Sequence, residues 1–309
     1  MAETQSSTPK QCGFVAIVGR PNVGKSTLIN QLIQEKLCIT ADRPQTTRHA
    51  ILAIQNTATA QIIYIDTPGI HNSHQRAINR YLNKTARNAL YDAQVIVFMA
   101  AGTRWLETDD YALKQLASAQ ESVKIPVILV LNKIDLIADR TSLLPHLQTL
   151  QGYYPWTEII PLSAQKGDNV DRLQTSLLRY LPAGEPIFPQ DQFTNRSERF
   201  LTSELIREQL TRYLGQELPY AVTVEIEAFQ RKPTVLVIDA VIWVERPSQK
   251  AIVIGKQGQM LKQLGQHARH SLERQFQEKI YLNLWVKVKS DWSDNETTLQ
   301  QLGYRETFE

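Results

Sequence analysis

Short apolar runs alternate with longer amphipathic stretches over the first 180 residues of the chain. The runs are continuous and rich in Val and Ile, which predicts strands over residues 14–18, 62–65, 95–100, 127–131 and 158–161. The stretches between them predict helices over residues 25–34, 77–91, 109–120, 141–150 and 170–181. Because fully apolar strands that alternate with helices are typical of parallel sheets covered on both faces, we predict an α/β fold with a doubly wound, mostly parallel sheet. Such sheets bind ligands beyond the carboxyl ends of their strands.

The alternation stops near residue 182, where Pro182, Gly184, Pro186 and Pro189 indicate a linker. Beyond it the pattern predicts a helix over 198–214, strands over 222–229 and 234–244, a glycine-bearing segment, a helix to about 277 and a strand over 281–288. This order is that of an α+β unit. The predicted organisation is a disordered N-terminal segment, a first domain, a Pro-rich linker and a second domain, at residues 1–12, 13–181, 182–196 and 197–309.

Composition excludes several classes of protein. The 309 residues carry a net charge of only +3, so the chain as a whole is no polycation. Its two cysteines, Cys12 and Cys38, cannot supply a disulfide framework, which indicates a reducing environment. The first ten residues lack the apolar core of a secretory signal, and the apolar runs are shorter than the ~20 residues that cross a bilayer. We expect a cytoplasmic protein and, since no heptad seam is present, a monomer.

A phosphate-binding loop is predicted where the first strand meets the first helix. The pattern G-x-x-x-x-G-K-[ST] is matched by Gly19-Arg20-Pro21-Asn22-Val23-Gly24-Lys25-Ser26. The glycines let backbone N–H groups converge on phosphate oxygens, and the helix N-terminus adds partial positive charge there. Lys25 is expected to reach the β- and γ-phosphates and the Ser26 hydroxyl to bind Mg²⁺. The loop predicts a nucleoside triphosphate without identifying the base.

Further motifs follow later predicted strands. Asp66-Thr67-Pro68-Gly69 follows the strand over 62–65, where the carboxylate can hold the Mg²⁺ shell and the glycine N–H can approach the γ-phosphate. Asn132-Lys133-Ile134-Asp135 ends the strand over 127–131. Ser163-Ala164-Gln165-Lys166-Gly167 follows the strand over 158–161. All of them are therefore expected at one edge of the sheet.

Asp135 is predicted to select the base. Guanine donates from N1–H and N2–H₂ on one edge and a carboxylate accepts both, whereas adenine presents an acceptor that would leave the carboxylate unpaired. We expect Asn132 to brace the loop, the Lys133 stem to lie over the base, and backbone N–H groups at Ser163 and Ala164 to meet guanine O6. An ATPase or nucleotide kinase would keep the phosphate loop but would not need this carboxylate. The predicted ligands are therefore GTP and GDP.

A second site is predicted at Ile254-Gly255-Lys256-Gln257-Gly258. A G-x-x-G loop between two helices of an α+β unit is the backbone clamp by which KH domains hold single-stranded RNA. Ile252, Ile254 and Leu261 are expected to floor a groove for unstacked bases. Residues 230–290 hold 11 Lys/Arg against 4 Asp/Glu, a net charge of +7 that is typical of nucleic-acid binding. The candidates for phosphate contacts are Arg231, Lys232, Lys250, Lys262, Arg269 and Arg274.

Together these motifs resemble the bacterial Era family of GTPases, from residue 13 to about residue 304. The resemblance is carried by Pro21-Asn22-Val23-Gly24-Lys25-Ser26-Thr27, Gln45-Thr46-Thr47-Arg48-His49, Asp66-Thr67-Pro68-Gly69-Ile70 and Trp285-Val286-Lys287-Val288-Lys289. It implies a P-loop GTPase domain followed by a KH type II domain. It also implies that the segment with two threonines is the first switch, in which Thr47 is preferred over Thr46 as the residue that senses Mg²⁺.

The resemblance further implies the groups that act in hydrolysis. The implied catalytic residues are Lys25, Thr47, Asp66 and Gly69, and the implied metal ligands are Ser26, Thr47 and Asp66. Many GTPases carry a water-orienting Gln at the position occupied here by Ile70, which cannot hydrogen-bond water, so slow turnover is expected. Resemblance to the wider class suggests that Asn22 helps to hold a K⁺ ion in place of an arginine finger.

The implied partner is the 3′ region of 16S rRNA during assembly of the 30S subunit, with RNA affinity changed by ordering of the switches. The alternative is a GTPase that acts at the surface of the inner membrane in cell-cycle or growth control, with its basic second domain in contact with anionic lipid. The G-x-x-G loop favours RNA, because lipid headgroups require charge but no glycine clamp.

Overall fold

The computed structural model describes residues 10–43, 45–70, 76–121, 124–215 and 218–304. Its first unit is built on one six-stranded sheet. The strands are β1 (Gln11–Val18), β2 (Ile51–Asn56), β3 (Ala60–Asp66), β4 (Val95–Ala101), β5 (Val127–Asn132) and β6 (Glu158–Pro161). The helices are α1 (Lys25–Ile33), α2 (Ala77–Asp92), α3 (Glu107–Gln120), α4 (Leu143–Gln151) and α5 (Val170–Tyr180).

The strand order is β2-β3-β1-β4-β5-β6, and every pairing except β2 with β3 is parallel. The prediction of a doubly wound, mostly parallel sheet is therefore confirmed. Strands β3 and β5 are buried over their whole length, with separate apolar clusters on the two faces of the sheet. Since the carboxyl ends of β1, β3 and β5 share one edge, the predicted nucleotide motifs meet there.

Strand β2 (Ile51–Asn56) was not among the predicted elements. It forms a hairpin with β3, in which Ile51 pairs with Asp66. Residues of the predicted linker cover its outer edge, where Ile54 N donates to Phe193 O at 2.9 Å. The residues of 182–196 that make such contacts are therefore fixed along the sheet.

The start of the first unit also differs from the prediction. Strand β1 begins at Gln11, which pairs with Ala60 of β3, so Gln11 and Cys12 lie in the sheet and not in a disordered N-terminal segment. Residues 1–9 of that segment lie outside the described residues.

The second unit is an α+β sandwich of one sheet and one helical layer. Its elements are α6 (Glu198–Tyr213), β7 (Val222–Lys232), β8 (Val235–Val244), α7 (Pro247–Ile254), α8 (Gln259–Phe276), β9 (Ile280–Val288) and α9 (Glu296–Gln301). Strand β8 is central, antiparallel to β7 and parallel to β9. Apolar side chains of α6, α7 and α8 form one core with one face of this sheet. The predicted α+β architecture is confirmed; α9 was not predicted.

The two units are packed against each other. Trp292, Leu299 and Tyr304 from the end of the described chain form an apolar cluster with Ile78 and Leu82 of α2. Trp292 is fully buried in it. Within the described part of the chain, no helix has both the length and the apolar character that a bilayer crossing requires.

Candidate functional site

The phosphate loop closes around the side chain of its own lysine. Lys25 opens α1, and its Nζ donates to the backbone oxygens of Gly19 at 3.1 Å and Arg20 at 3.0 Å. Burial lowers the pKa of Lys25 to about 8, although the nearby Asp66 carboxylate acts in the opposite direction. Phosphate oxygens would supply anionic acceptors in place of these carbonyls and would raise the pKa of the lysine again.

Three oxygen-bearing side chains converge beside the loop. Ser26 Oγ lies 2.8 Å from Thr47 Oγ1 and donates to Asp66 Oδ2 at 2.8 Å, while Thr47 Oγ1 donates to the same oxygen at 3.3 Å. Burial raises the pKa of Asp66, against the hydrogen bond from Ser26 and the charge of Lys25. The buried Oδ1 of Asp66 accepts no hydrogen bond from a described N–H or O–H group.

This chemistry fits Mg²⁺, which prefers oxygen ligands and few protein carboxylates. The unsatisfied, buried Oδ1 of Asp66 calls for a cation or a donor, and the hydroxyls of Ser26 and Thr47 gather at the other oxygen of the same carboxylate. Among the described residues, there is no cluster of three or more His, Cys, Asp or Glu that would suit another metal.

The structure separates the two candidate threonines of the first switch. Thr47 lies in the oxygen cluster, whereas Thr46 Oγ1 donates to the backbone oxygen of Arg43 at 2.6 Å. Geometry therefore favours Thr47 for a metal-sensing role.

The segment that follows β3 reaches the phosphate loop through Gly69. A Cβ at this position would lie 2.7 Å from atoms of Pro21, so a larger residue would push the two loops apart. Thr67 faces the other way and donates to the backbone oxygen of Ile17 at 2.7 Å. Ile70 is buried in the core and offers no group to a water molecule. Residues 71–75, which come next, lie outside the described residues.

Asn132 joins the phosphate loop to the loops expected to hold the base. Its Nδ2 donates to the backbone oxygen of Val23 at 2.7 Å, and its Oδ1 accepts from the backbone N–H of Ala164 at 2.9 Å. Ser163 Oγ donates to Asp135 Oδ1 at 2.6 Å and so orients that carboxylate. The rest of the Asp135 side chain is exposed, which leaves it free to accept from a ligand.

These loops surround a cavity of 1070 Å³ and a smaller one beside it. The predicted residues that line one or both are Pro21, Asn22, Gly24, Lys25, Ser26, Thr27, Thr47, Gly69, Asn132, Lys133, Asp135 and Ala164. The other predicted residues lie outside the lining of both cavities: Gly19, Arg20, Val23, Asp66, Thr67, Pro68, Ile70, Ile134 and Ser163. Two members of this second group hold neighbouring side chains in place: Arg20 donates to the buried Asp109 carboxylate at 3.0 Å, and Ser163 donates to Asp135 at 2.6 Å.

A further part of the cavity wall was not predicted from the sequence. It comes from the end of α1, from the segment before the switch threonines and from α6 of the second unit, at Gln34, Glu35, Lys36, Thr40, Ala41, Asp42 and Arg212. No motif marks these residues, so no local signal could have found them.

In the second unit, the G-x-x-G loop joins α7 to α8 as predicted. Gly255 has φ 73° and ψ 179°, and a Cβ there would lie 2.6 Å from the Met260 Cβ. Glycine is therefore required for the loop to enter α8. Lys256 and Gln257 are exposed at the tip.

A groove of 580 Å³ lies beside this loop, between α8 and β9. It is lined by Gly258, Leu261, Lys262, Gly265, Gln266, Arg269, Leu282 and Leu284. The predicted floor was partly wrong: Ile252 is 52% exposed and Ile254 packs towards the core, so only Leu261 of the three lines the groove. Leucines of β9 take their place, because alternate side chains of that strand turn towards the helices.

Two of the six predicted phosphate contacts, Lys262 and Arg269, line the groove. Arg231 does not: its Nη2 binds Glu198 at 3.1 Å and Glu278 at 2.9 Å, so its charge is already paired. Lys232, Lys250 and Arg274 are likewise absent from the groove lining.

The switch threonines are connected to the second unit on both sides. Arg207 of α6 donates to the backbone oxygen of Thr46. The Arg207 guanidinium is held by an ion pair with Glu204, in which Nη2 lies 2.6 Å from Oε2. Arg207 and Glu204 are both buried. The charge of Arg207 outweighs burial and holds the pKa of Glu204 below its usual value.

On the other side of Thr47, Arg48 extends into the second unit. It donates to the backbone oxygens of Val222 at 2.8 Å and Pro219 at 2.7 Å and to the hydroxyl of Tyr304 at 3.2 Å. Residues 46 and 48 are therefore fastened to the second unit, and Thr47 between them lies in the oxygen cluster.

Comparisons with known proteins agree with both halves of this arrangement. A family model described as a 50S ribosome-binding GTPase matches residues 14–133, and a KH domain model matches residues 217–293. GTPase Era of Pseudomonas syringae pv. tomato is 50% identical over 96% of this chain and 98% of its own length. GTPase Era of Azotobacter vinelandii is 51% identical, with the same shares covered.

The fold agrees with that of a solved relative. A crystal structure of Era in complex with MgGDPNP and nucleotides 1506–1542 of 16S ribosomal RNA has a TM-score of 0.91 and 39% identity, covering 96% of this chain and 99% of that one. Identity and coverage at this level, together with the GTPase and KH models on the two units, establish that the chain belongs to the Era family of GTPases.

Proposed function

We propose that the chain is a GTP-dependent switch that binds the 3′ region of 16S rRNA through its KH domain and acts in assembly of the 30S subunit. One observation carries this proposal: of three consecutive residues, Thr47 lies in the oxygen cluster while Thr46 and Arg48 are held by the second unit. A change at the oxygen cluster therefore acts directly on the contact between the units.

In the first unit we assign GTP to the cavity between the phosphate loop and Asp135. Lys25, at the N-terminus of α1, binds the β- and γ-phosphates, and Ser26, Thr47 and Asp66 hold Mg²⁺. Bound Mg²⁺ neutralises charge that develops on the phosphates during hydrolysis to GDP and phosphate. Gly69 brings its loop within contact of the phosphate loop, where its N–H approaches the γ-phosphate.

In the second unit we assign single-stranded RNA to the groove beside the G-x-x-G loop. Leu261, Leu282 and Leu284 offer an apolar floor to unstacked bases, while Lys256 and Lys262 meet the phosphates. The ribosomal identity of the RNA is supported by the solved Era relative, which holds nucleotides 1506–1542 of 16S ribosomal RNA.

The proposal predicts that RNA affinity depends on the nucleotide. An RNA of the 1506–1542 sequence, titrated into the full chain with a GTP analogue, GDP or no nucleotide, should give dissociation constants that differ by about fivefold or more. Equal RNA affinity in all three nucleotide states would contradict the proposed switch. Anionic lipid vesicles serve as a parallel titration, in which tight binding without RNA binding would favour the membrane alternative.

Asn22 lines the nucleotide cavity and is proposed to help hold a K⁺ ion beside the phosphates. A cation there would supply the positive charge that an arginine finger supplies in other GTPases. GTP hydrolysis measured in K⁺ should then be about tenfold or more faster than in Na⁺ at equal ionic strength, since one transition-state charge contact contributes this much or more. In Asn22→Ala, the rates of hydrolysis in K⁺ and Na⁺ should be equal. Equal rates in the wild-type chain would contradict the proposed K⁺ site.

A further inference from the structure

The second unit contributes directly to the cavity that we assign to GTP. Arg212, in the last turn of α6, lines this cavity together with Asn132 and Asp135 of the base loop. The side chain of Arg212 is 46% exposed, so it is accessible from the cavity.

Two side chains of α6 hold both backbone groups of Thr40. Glu208 Oε1 accepts from the Thr40 N–H at 2.9 Å and from Lys36 Nζ at 2.6 Å. Arg212 Nη2 donates to the Thr40 oxygen at 3.1 Å and to Glu208 Oε1 at 2.9 Å. Glu208 is almost fully buried, at 2% side-chain exposure, which fixes the pair in place. This contact fastens the stretch of cavity wall at residues 35–42 to α6.

The position of this wall indicates which part of the nucleotide it meets. With guanine at Asp135 and the phosphates at Lys25, the sugar must cross between the end of α1 and residues 35–42. Arg212 lies on that side of the cavity. Its Nη1 makes no hydrogen bond with a described residue, so a planar guanidinium already oriented by Thr40 and Glu208 keeps donors for a ligand.

We propose that Arg212 is a nucleotide-binding residue supplied by the second unit, which donates to an oxygen of the sugar or α-phosphate while Glu208 positions the wall around it. This inference rests on the proposed nucleotide site. It means that bound nucleotide contacts both units at once, so movement of α6 away from Thr40 opens the wall and releases the nucleotide faster.

Dissociation of radiolabelled GDP from the full chain, chased with unlabelled GDP in Mg²⁺, tests this inference. Arg212→Ala should release GDP about five- to tenfold faster, because one charge-assisted hydrogen bond at a half-exposed site is lost. The KM for GTP should rise while kcat at saturating GTP stays unchanged, and Arg212→Lys should restore only part of the effect because it lacks the planar fork. The control is Arg199→Ala, at an exposed arginine in the first turn of α6 that donates to the backbone oxygens of Ile226 and Glu227.

Faster release from Arg212→Ala with an unchanged Arg199→Ala supports the inference. Unchanged release from Arg212→Ala, or equal acceleration by both variants, overturns it. A wild-type chain that holds no GDP contradicts the nucleotide site itself, and thereby the proposed function, independently of Arg212.

Discussion

Replacing Asp135 with asparagine should reduce affinity for GTP by about a hundredfold or more and shift the preference towards xanthosine triphosphate. The carboxylate is expected to accept from both N1–H and N2–H₂ of guanine, and loss of hydrogen bonds to a charged group costs about 1.5–3 kcal/mol each. An asparagine amide would accept from N1–H of xanthine and donate to its C2 oxygen. Competition of GTP, XTP and ATP for the site, measured on wild type and Asp135→Asn, gives the result directly.

Ser163→Ala provides a matched control for this substitution. It removes the hydroxyl that donates to Asp135 Oδ1 at 2.6 Å but leaves the carboxylate itself. Affinity should fall by about tenfold or less, with guanine still preferred, because orientation is weakened and chemical recognition is kept. If Asp135→Asn left the base preference unchanged, or if wild type held ATP as tightly as GTP, the assignment of Asp135 would be wrong.

The parts of the fold that could be predicted depend on short-range patterns. The phosphate loop needs a strand, a glycine-rich turn and a helix that are contiguous in sequence, and β1 and α1 lie on either side of it as expected. The carboxyl ends of β3 and β5 follow from apolar runs, so Asp66 and Asn132 could be placed at one sheet edge in advance. Such features are local, and the parallel sheet then brings them together.

What the sequence could not reveal depends on contacts between distant residues. Arg212 and Arg48 are ordinary surface-type residues in the sequence, and only the packing of α6 and residues 218–222 against the switch segment gives them partners. The edge strand β2 escaped prediction for a similar reason, since Ile51–Asn56 is stabilised by β3 on one side and by linker residues on the other. The groove floor was misplaced because β9 completes it with Leu282 and Leu284, which lie 21 and 23 residues beyond Leu261 in the sequence.

The second large effect is expected at the tip of the G-x-x-G loop. The double substitution Lys256→Asp with Gln257→Asp should weaken binding of the 1506–1542 RNA by about tenfold or more, because two carboxylates would face the phosphates where one ammonium stood. Both side chains are exposed, and Asp tolerates the left-handed conformation of Gln257, at φ 51°, so the fold should be preserved. Binding is measured at two salt concentrations, along with GDP affinity and thermal unfolding.

The far end of α8 offers a control with the same change in charge. Gln277 also has a left-handed backbone, at φ 53°, and Gln277 and Lys279 are both exposed. Neither of these residues lines the groove, so Gln277→Asp with Lys279→Asp should reduce RNA affinity only through long-range charge, an effect that vanishes at the higher salt concentration. The loss from the loop substitution should persist at high salt, since it removes a contact. Equal losses from both variants at both salt concentrations would mean that the RNA responds to net charge alone and that the groove is not its site.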